Sequence, residues 1–217
     1  DSWGRRVIAR AHAKERKQNP ALRALTEVDY LCAVDDFSRI GALRLRDTAH
    51  TYLRQVEDGK RATPSFMELG KMMAASRAVE LSQETAEDLR YLQGKGTSLG
   101  GMRPKCTVLD EDGALALGKF PSVTDERSVT RGEVLALRLA KLAGIDTAHA
   151  RIEMVQGAPV AIIRRFDRTP NQSRIPYMSG ATLLQSSRNQ EHSYTEIVDA
   201  MRSRCVEFSA SAQQLWR

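Results

Sequence analysis

"GTSLGGMRPK" (Gly96–Lys105) divides a chain whose hydrophobic pattern has a different period on either side of it. Before it, apolar residues recur at helical spacing. In "SFMELGKMMAASRAVE" Phe66, Leu69, Met72 and Met73 fall on or near one face, with Ser65 placed to cap. "SQETAEDLRYLQG" opens on Ser82, carries its acids early and stops at Gly94, which is the pattern of a helix with a glycine end signal. After the glycine stretch the period drops to two. "KCTVLD" and "ALALGKF" alternate as strands about the turn "EDG" (Glu111–Gly113), and a helix is predicted over 125–143 with Gly144 as its stop. "ARIEMVQGAPVAIIRRF" reads as a hairpin turning at Gln156-Gly157. From about Thr182 the chain turns helical again, most clearly over Tyr194–Met201. The expected fold class is α+β: a mainly helical region 1–90, an antiparallel sheet with one helix over 91–170, and the start of a second helical part over 171–217.

A chain of 217 residues can bury a core without covalent staples. It contains no run of 18 apolar residues, so no membrane span is predicted, and "DSWGRRVIAR" lacks the pattern of a signal peptide. The missing initial methionine is what a fragment or a processed chain would show. Cys32, Cys106 and Cys205 are odd in number and far apart, which argues against a disulfide framework and for a reducing cytoplasm. No CxxC pair is present and the four histidines are scattered, so a structural zinc site is not expected. The net charge of +6 is spread along the chain, whereas a nucleic-acid reader concentrates its excess on one element. The run "RRVIARAHAKERK" (Arg5–Lys17) reads first as the solvated face of a helix and second as a phosphate contact.

Three features near the glycine stretch point toward chemistry when taken in order. Glycines let backbone N–H groups approach phosphate oxygens, although many such loops are plain turns. Lys119 lies in the second strand on the face of Leu115 and Leu117, where a buried ammonium would need a partner. Glu133 opens the apolar run Val134, Leu135, Leu137, Leu139 and Leu142 of the following helix. Glycine loop, strand lysine and helix glutamate in this order are the parts with which protein kinases hold ATP phosphates and orient the lysine.

The chain resembles the HipA family of bacterial toxin kinases. The resemblance rests on "GTSLGGMRPK", "GKFPS", "GEVLALRLAKLAGI", "IIRRFDR", "RIPYMSGATLL" and "SYTEIVDAMR", with "DSWGRR" and "VDYLCAVDDFSRIGALRLR" similar to the family's N-terminal part. It therefore implies an N-terminal subdomain followed by a protein-kinase-like N-lobe and the start of a C-lobe. It implies a loop of Gly100, Gly101, Met102, Arg103, Pro104 and Lys105 over the phosphates of ATP, with Lys119 on those phosphates and Glu133 as its ion-pair partner. Arg164, Arg165 and Phe166 would hold adenine by backbone hydrogen bonds and aromatic contact. Ser98 falls where family members autophosphorylate; a phosphate there would repel ATP. The implied partners are a HipB-like DNA-binding antitoxin, through which any DNA contact would be indirect, and a protein substrate such as glutamyl-tRNA synthetase.

Phosphoryl transfer also requires a catalytic carboxylate and ligands for Mg²⁺. No NxDxH-like or HRD-like loop is present, and "DDFS" (Asp35–Ser38) precedes the glycine loop and lacks the glycine of a metal-binding DFG, so it reads as a turn. Asp167 within "RRFDR" reads as an ion pair at a strand end, and Tyr177 and Met178 of "RIPYMSG" as packed side chains. The sequence thus predicts an ATP-gripping segment whose base and metal ligands lie beyond these residues. The alternative is a non-catalytic module that binds the antitoxin and its operator complex, for which the basic run Arg5–Lys17 speaks.

Overall fold

A computed structural model describes residues 2–54, 66–95, 101–187 and 190–217. Ser65, Gly96, Ser98 and Gly100 lie outside the described residues, and with them the expectations placed on Ser65 as a cap and on Ser98 and Gly100. The described residues form eight α-helices and one four-stranded antiparallel sheet. The helices α1 (Ser2–Gln18), α2 (Glu27–Cys32), α3 (Leu69–Leu81) and α4 (Ala86–Lys95) precede the strands β1 (Lys105–Leu109) and β2 (Leu115–Lys119). Then come α5 (Val129–Leu142), β3 (Ala150–Val155), β4 (Ala158–Arg164), α6 (Gly180–Leu183), α7 (Tyr194–Arg202) and α8 (Phe208–Trp216).

The strands lie in the order β1-β2-β4-β3. Two of the three pairings are hairpins predicted from the sequence. The second turns at Gln156 and Gly157, both at positive φ (49° and 80°), the backbone twist that a two-residue hairpin turn demands. The third pairing, β2 with β4, sets Lys119 opposite Ala161 and requires the chain to leave the sheet through α5 and return.

Strand alternation gives the sheet two covered faces. Cys106, Val108, Ala116, Val160 and Ile162 point to one, where Trp3, Val7 and Ala11 of α1, Leu69, Met72 and Val79 of α3 and Leu89 and Leu92 of α4 pack against them. Gly118 is required here by contact: a Cβ would stand 3.3 Å from Cys106 Sγ and from Leu69 Cδ2. The N-terminal helices and the sheet therefore share one core. The opposite face carries Leu117, Ala161, Ile163, Ala150 and Ile152 against Val134 and Leu137 of α5. Leu135, Leu139 and Leu142 of the predicted apolar run point outward instead, because a helix on one sheet face buries only one stripe.

Three local readings are corrected. Helix α4 does not begin at Ser82. Thr85 caps it reciprocally with Asp88, the Asp88 N–H donating to Thr85 Oγ1 (3.1 Å) and the Thr85 N–H to Asp88 Oδ2 (2.8 Å). Ser82 instead ends α3 in the left-handed conformation (φ 59°). The long central helix starts at Val129 rather than at Asp125. The basic run of α1 is more than a solvated face: Arg5 pairs with Glu27, Arg10 with Glu84 (2.9 Å), Arg6 donates to Val79 O (3.2 Å) and Lys14 to Glu84 O. These side chains pin α1 to its neighbours, while Arg16 and Lys17 remain exposed.

Candidate functional site

The β1–β2 register sets Lys105 opposite Lys119, so two lysines leave adjacent strands on the same face. Lys119 pairs with Glu133, which the first turns of α5 bring over the strand. Lys105 is only 4 % exposed, and its Nζ has no hydrogen-bond partner among the described residues. Burial, and then the neighbouring charges of Lys119 and Arg103, pull its ammonium down from 10.5 to about 8. Glu133 offsets this only in part, and a buried ammonium without a hydrogen-bond partner is costly, so an anion here would relieve it.

Gly101, the first described residue of the glycine stretch, lies close to Lys105. The Trp3 N–H at the start of α1 donates to Gly101 O (3.1 Å), and Gly101 takes φ 95°. A Cβ at Gly101 would stand 3.2 Å from Lys105 Nζ, so a side chain there would crowd the ammonium. The Phe120 N–H donates to Pro104 O (3.1 Å), which extends the β1–β2 ladder by one bond. Arg103 pairs with Asp125, and Met102 is 79 % exposed to solvent. Asp125 also accepts the Ser122 N–H (3.0 Å), while Glu80 of α3 accepts Ser122 Oγ and the Val123 N–H (3.1 Å). The structure thus brings together Gly101, Arg103, Lys105, Lys119 and Glu133 of the predicted set. Asp125 and Glu80, which sequence reasoning missed, join them.

Arg164, Arg165 and Phe166 stand apart from this group. Arg164 lies three residues along β4 from Ala161, the register partner of Lys119, or roughly 10 Å away at strand rise. The Arg164 N–H donates to His149 O (2.9 Å) and the Arg165 N–H to Leu115 O (3.1 Å). The Arg164 side chain pairs with Asp112, and Phe166 is largely exposed with its ring 5.3 Å from that of Tyr177. Tyr177 is about half exposed and packs on Phe166 and near Gly41, whereas Met178 is largely exposed, not packed as expected.

Arg165 belongs to a buried knot instead. Asp167 is fully buried and accepts from Arg165 (2.7 and 2.8 Å), Arg168 (2.6 Å) and the Gly41 N–H (2.7 Å). Burial pushes the Asp167 carboxyl up, but Arg165, Gly41 and Arg168 together outweigh it and hold it below the ordinary range. Arg165 also reaches Ser38 O (2.7 Å) and Thr107 Oγ1 (3.1 Å), and Arg174 caps Arg39 O and Gly41 O (both 3.1 Å). The turn Asp35–Ser38 is present, with Ser38 N–H donating to Asp35 Oδ2 (2.8 Å), yet it is buried in this knot and Asp36 pairs with Arg44. The ion pair read at Asp167 is therefore structural, and it ties residues 35–41 to the strand that follows them by more than a hundred positions.

The buried unpartnered Lys105 and the Lys119–Glu133 pair fit the phosphates of a nucleotide. A divalent cation finds no such fit: among the described residues no group of three or more His, Cys, Asp or Glu side chains could hold one. No described helix is long and apolar enough to cross a membrane. Comparison with curated proteins and with solved structures returned no match. A family model described as the HipA-like C-terminal domain matches residues 97–217, more than half of the chain. This corrects the assignment of the resemblance to the family's N-terminal portion, since the sheet, α5 and everything after them fall in its C-terminal domain. The chain is a member of the HipA-like family.

Proposed function

We propose that this chain is the ATP-binding portion of a HipA-like serine/threonine protein kinase, the toxin of a type II toxin–antitoxin pair. The observation that carries the reading is the buried, unpartnered Lys105 ammonium beside the Lys119–Glu133 pair. Family membership supports it, as does the sheet order with α5 laid across one face, which suits a kinase-like lobe. Lys119 would hold phosphate oxygens while Glu133 fixes the direction of the lysine, and Lys105 would supply a second ammonium from the adjacent strand. The Gly101 backbone leaves room for the phosphates close to Lys105. ATP supplies the phosphoryl group. Autophosphorylation at Ser98, which the family resemblance implies, would add negative charge and oppose nucleotide binding. Arg164–Phe166 would meet the base at the far end of β4. The catalytic carboxylate and the Mg²⁺ ligands would come from outside these residues, so the chain alone would not transfer phosphate at a useful rate. A HipB-like antitoxin and a translation enzyme such as glutamyl-tRNA synthetase are the partners this reading implies.

Calorimetric titration of the 217-residue chain with ATP is the test. Micromolar to millimolar binding that weakens at least about tenfold in Lys119→Ala is expected, since one charge-assisted contact accounts for about 1.5–3 kcal/mol. No binding, or binding indifferent to Lys119, would overturn the nucleotide reading. The rival reading, a non-catalytic module for the antitoxin and its operator complex, has lost its main support, because most of the basic run in α1 is engaged within the fold.

A further inference from the structure

The cation cluster beside the glycine stretch is electrically balanced. Arg103, Lys105 and Lys119 face Asp125, Glu133 and Glu80, three formal positive charges against three negative. Two of the three cations are paired, and among the described residues Lys105 has no hydrogen-bond partner. A polyphosphate bound here would satisfy one unpaired, buried ammonium and must obtain the other cations by exchange.

The two pairs differ in how readily they exchange. Glu133 faces Lys119 across the sheet from α5, a helix fixed by its own core contacts. Arg103 is set differently. Its neighbours on both sides are anchored, Gly101 O by Trp3 and Pro104 O by Phe120, so the backbone is fixed while the long side chain can turn between two directions. Its partner Asp125 is nearly buried and held by the Ser122 N–H, and the segment carrying it is fastened to Glu80. Arg103, with a third of its side chain exposed, is the mobile member. Arg103 keeps the Asp125 carboxyl below its ordinary range, so the carboxylate is charged at neutral pH. We propose that Asp125 is a positioning residue that occupies the Arg103 guanidinium in place of the anion, releasing it when a polyphosphate binds beside Lys105. The proposal rests on the nucleotide-site reading above and adds to it a built-in competitor that sets the affinity.

The consequence runs opposite to that of an ordinary salt bridge. Removing the negative charge at Asp125 should tighten anion binding, because Arg103 then needs no exchange; about five- to tenfold is expected for one charge at this range. The test titrates the full chain by calorimetry, without metal, with inorganic tripolyphosphate and separately with ATP. Asp125→Asn retains an acceptor for Ser122 and should bind tripolyphosphate more tightly than the parent. In Arg103→Gln the parent affinity should fall, and adding D125N to it should bring no gain. A D125N chain that binds no more tightly, or a gain that persists in the R103Q background, overturns the proposal. Should D125N fail to fold, Asp125→Ser serves in its place, and the Arg103 Nε–H resonance of the parent chain supplies an independent reading. That resonance must shift on addition of tripolyphosphate, and an unmoved signal also overturns the exchange. Tripolyphosphate binding with the D125N gain but no ATP binding would sink the nucleotide reading and leave this one standing. ATP binding without the gain would do the reverse, and no binding of either anion to any variant would sink both.

Discussion

At the scale of single residues, the site divides into what alternation reveals and what only pairing reveals. Lys119 could be read because strand period sets it on the face of Leu117, and Glu133 because helix phase places it one residue before the buried Val134. The condition of Lys105 was hidden: the sequence places it where the loop meets the first strand, and its burial depends on the register that sets it opposite Lys119. That condition has a consequence for stability. The folded chain holds the Lys105 proton with a value of about 8, against an ordinary 10.5. Below about 8 both folded and unfolded chains carry the charge, and the full burial penalty applies. Between the two values the unfolded chain keeps the proton that the folded chain has lost, so stability rises with pH across that window. Lys105→Met keeps the stem and removes the charge, and should raise stability near pH 7 by about 1–3 kcal/mol while weakening ATP binding. Urea unfolding of both chains at several pH values checks this. The advantage of the variant should shrink from pH 8 to 10; a constant difference would mean that the ammonium is not the cause.

At the scale of elements, periodicity located nearly every helix and strand after the glycine stretch, and both hairpins came from their turn residues. Boundaries were less legible, for a physical reason seen at α3 and α4. Ser82 and Thr85 are both hydroxyl residues that can cap, and "SQETAEDL" satisfies the capping pattern from either start. The choice is made by the end of α3, which needs a residue in the left-handed conformation there and takes Ser82. Thr85 is then the first position able to exchange both bonds with Asp88. Thr85→Ala should therefore cost about 1 kcal/mol, whereas Ser82→Gly, which relieves a positive φ but loses the hydroxyl that accepts from Arg10, should change stability by a few tenths. Comparing denaturation midpoints of the two variants decides between the caps. An equal or larger loss at Ser82 would place the cap where the sequence alone suggested it.

At the scale of the whole molecule, the charge pattern was legible as diffuse, but not what the charges hold. Asp167 reaches Gly41 across 126 positions, and no local pattern announces a partner at such a separation. The same holds for the core: the change of hydrophobic period suggested separate regions, while Trp3, Val7 and Ala11 of the first helix pack into the cluster that contains Val108, Phe120 and Ile162 of the sheet region. A shared core predicts shared cooperativity, since neither side can keep its apolar face covered without the other. The two tryptophans make this measurable. Trp3 is fully buried at the sheet, and Trp216 in α8 is largely exposed. In Trp216→Phe, fluorescence reports on the docking of α1 alone, while far-ultraviolet circular dichroism reports on all helices and strands. The two unfolding curves in urea should coincide at one midpoint. An earlier loss of the Trp3 signal would show that α1 detaches while the sheet persists. Because the Trp3 N–H holds Gly101 O beside Lys105, such an early detachment would also free one end of the candidate phosphate site. With a single transition, ATP should move both curves together to higher urea.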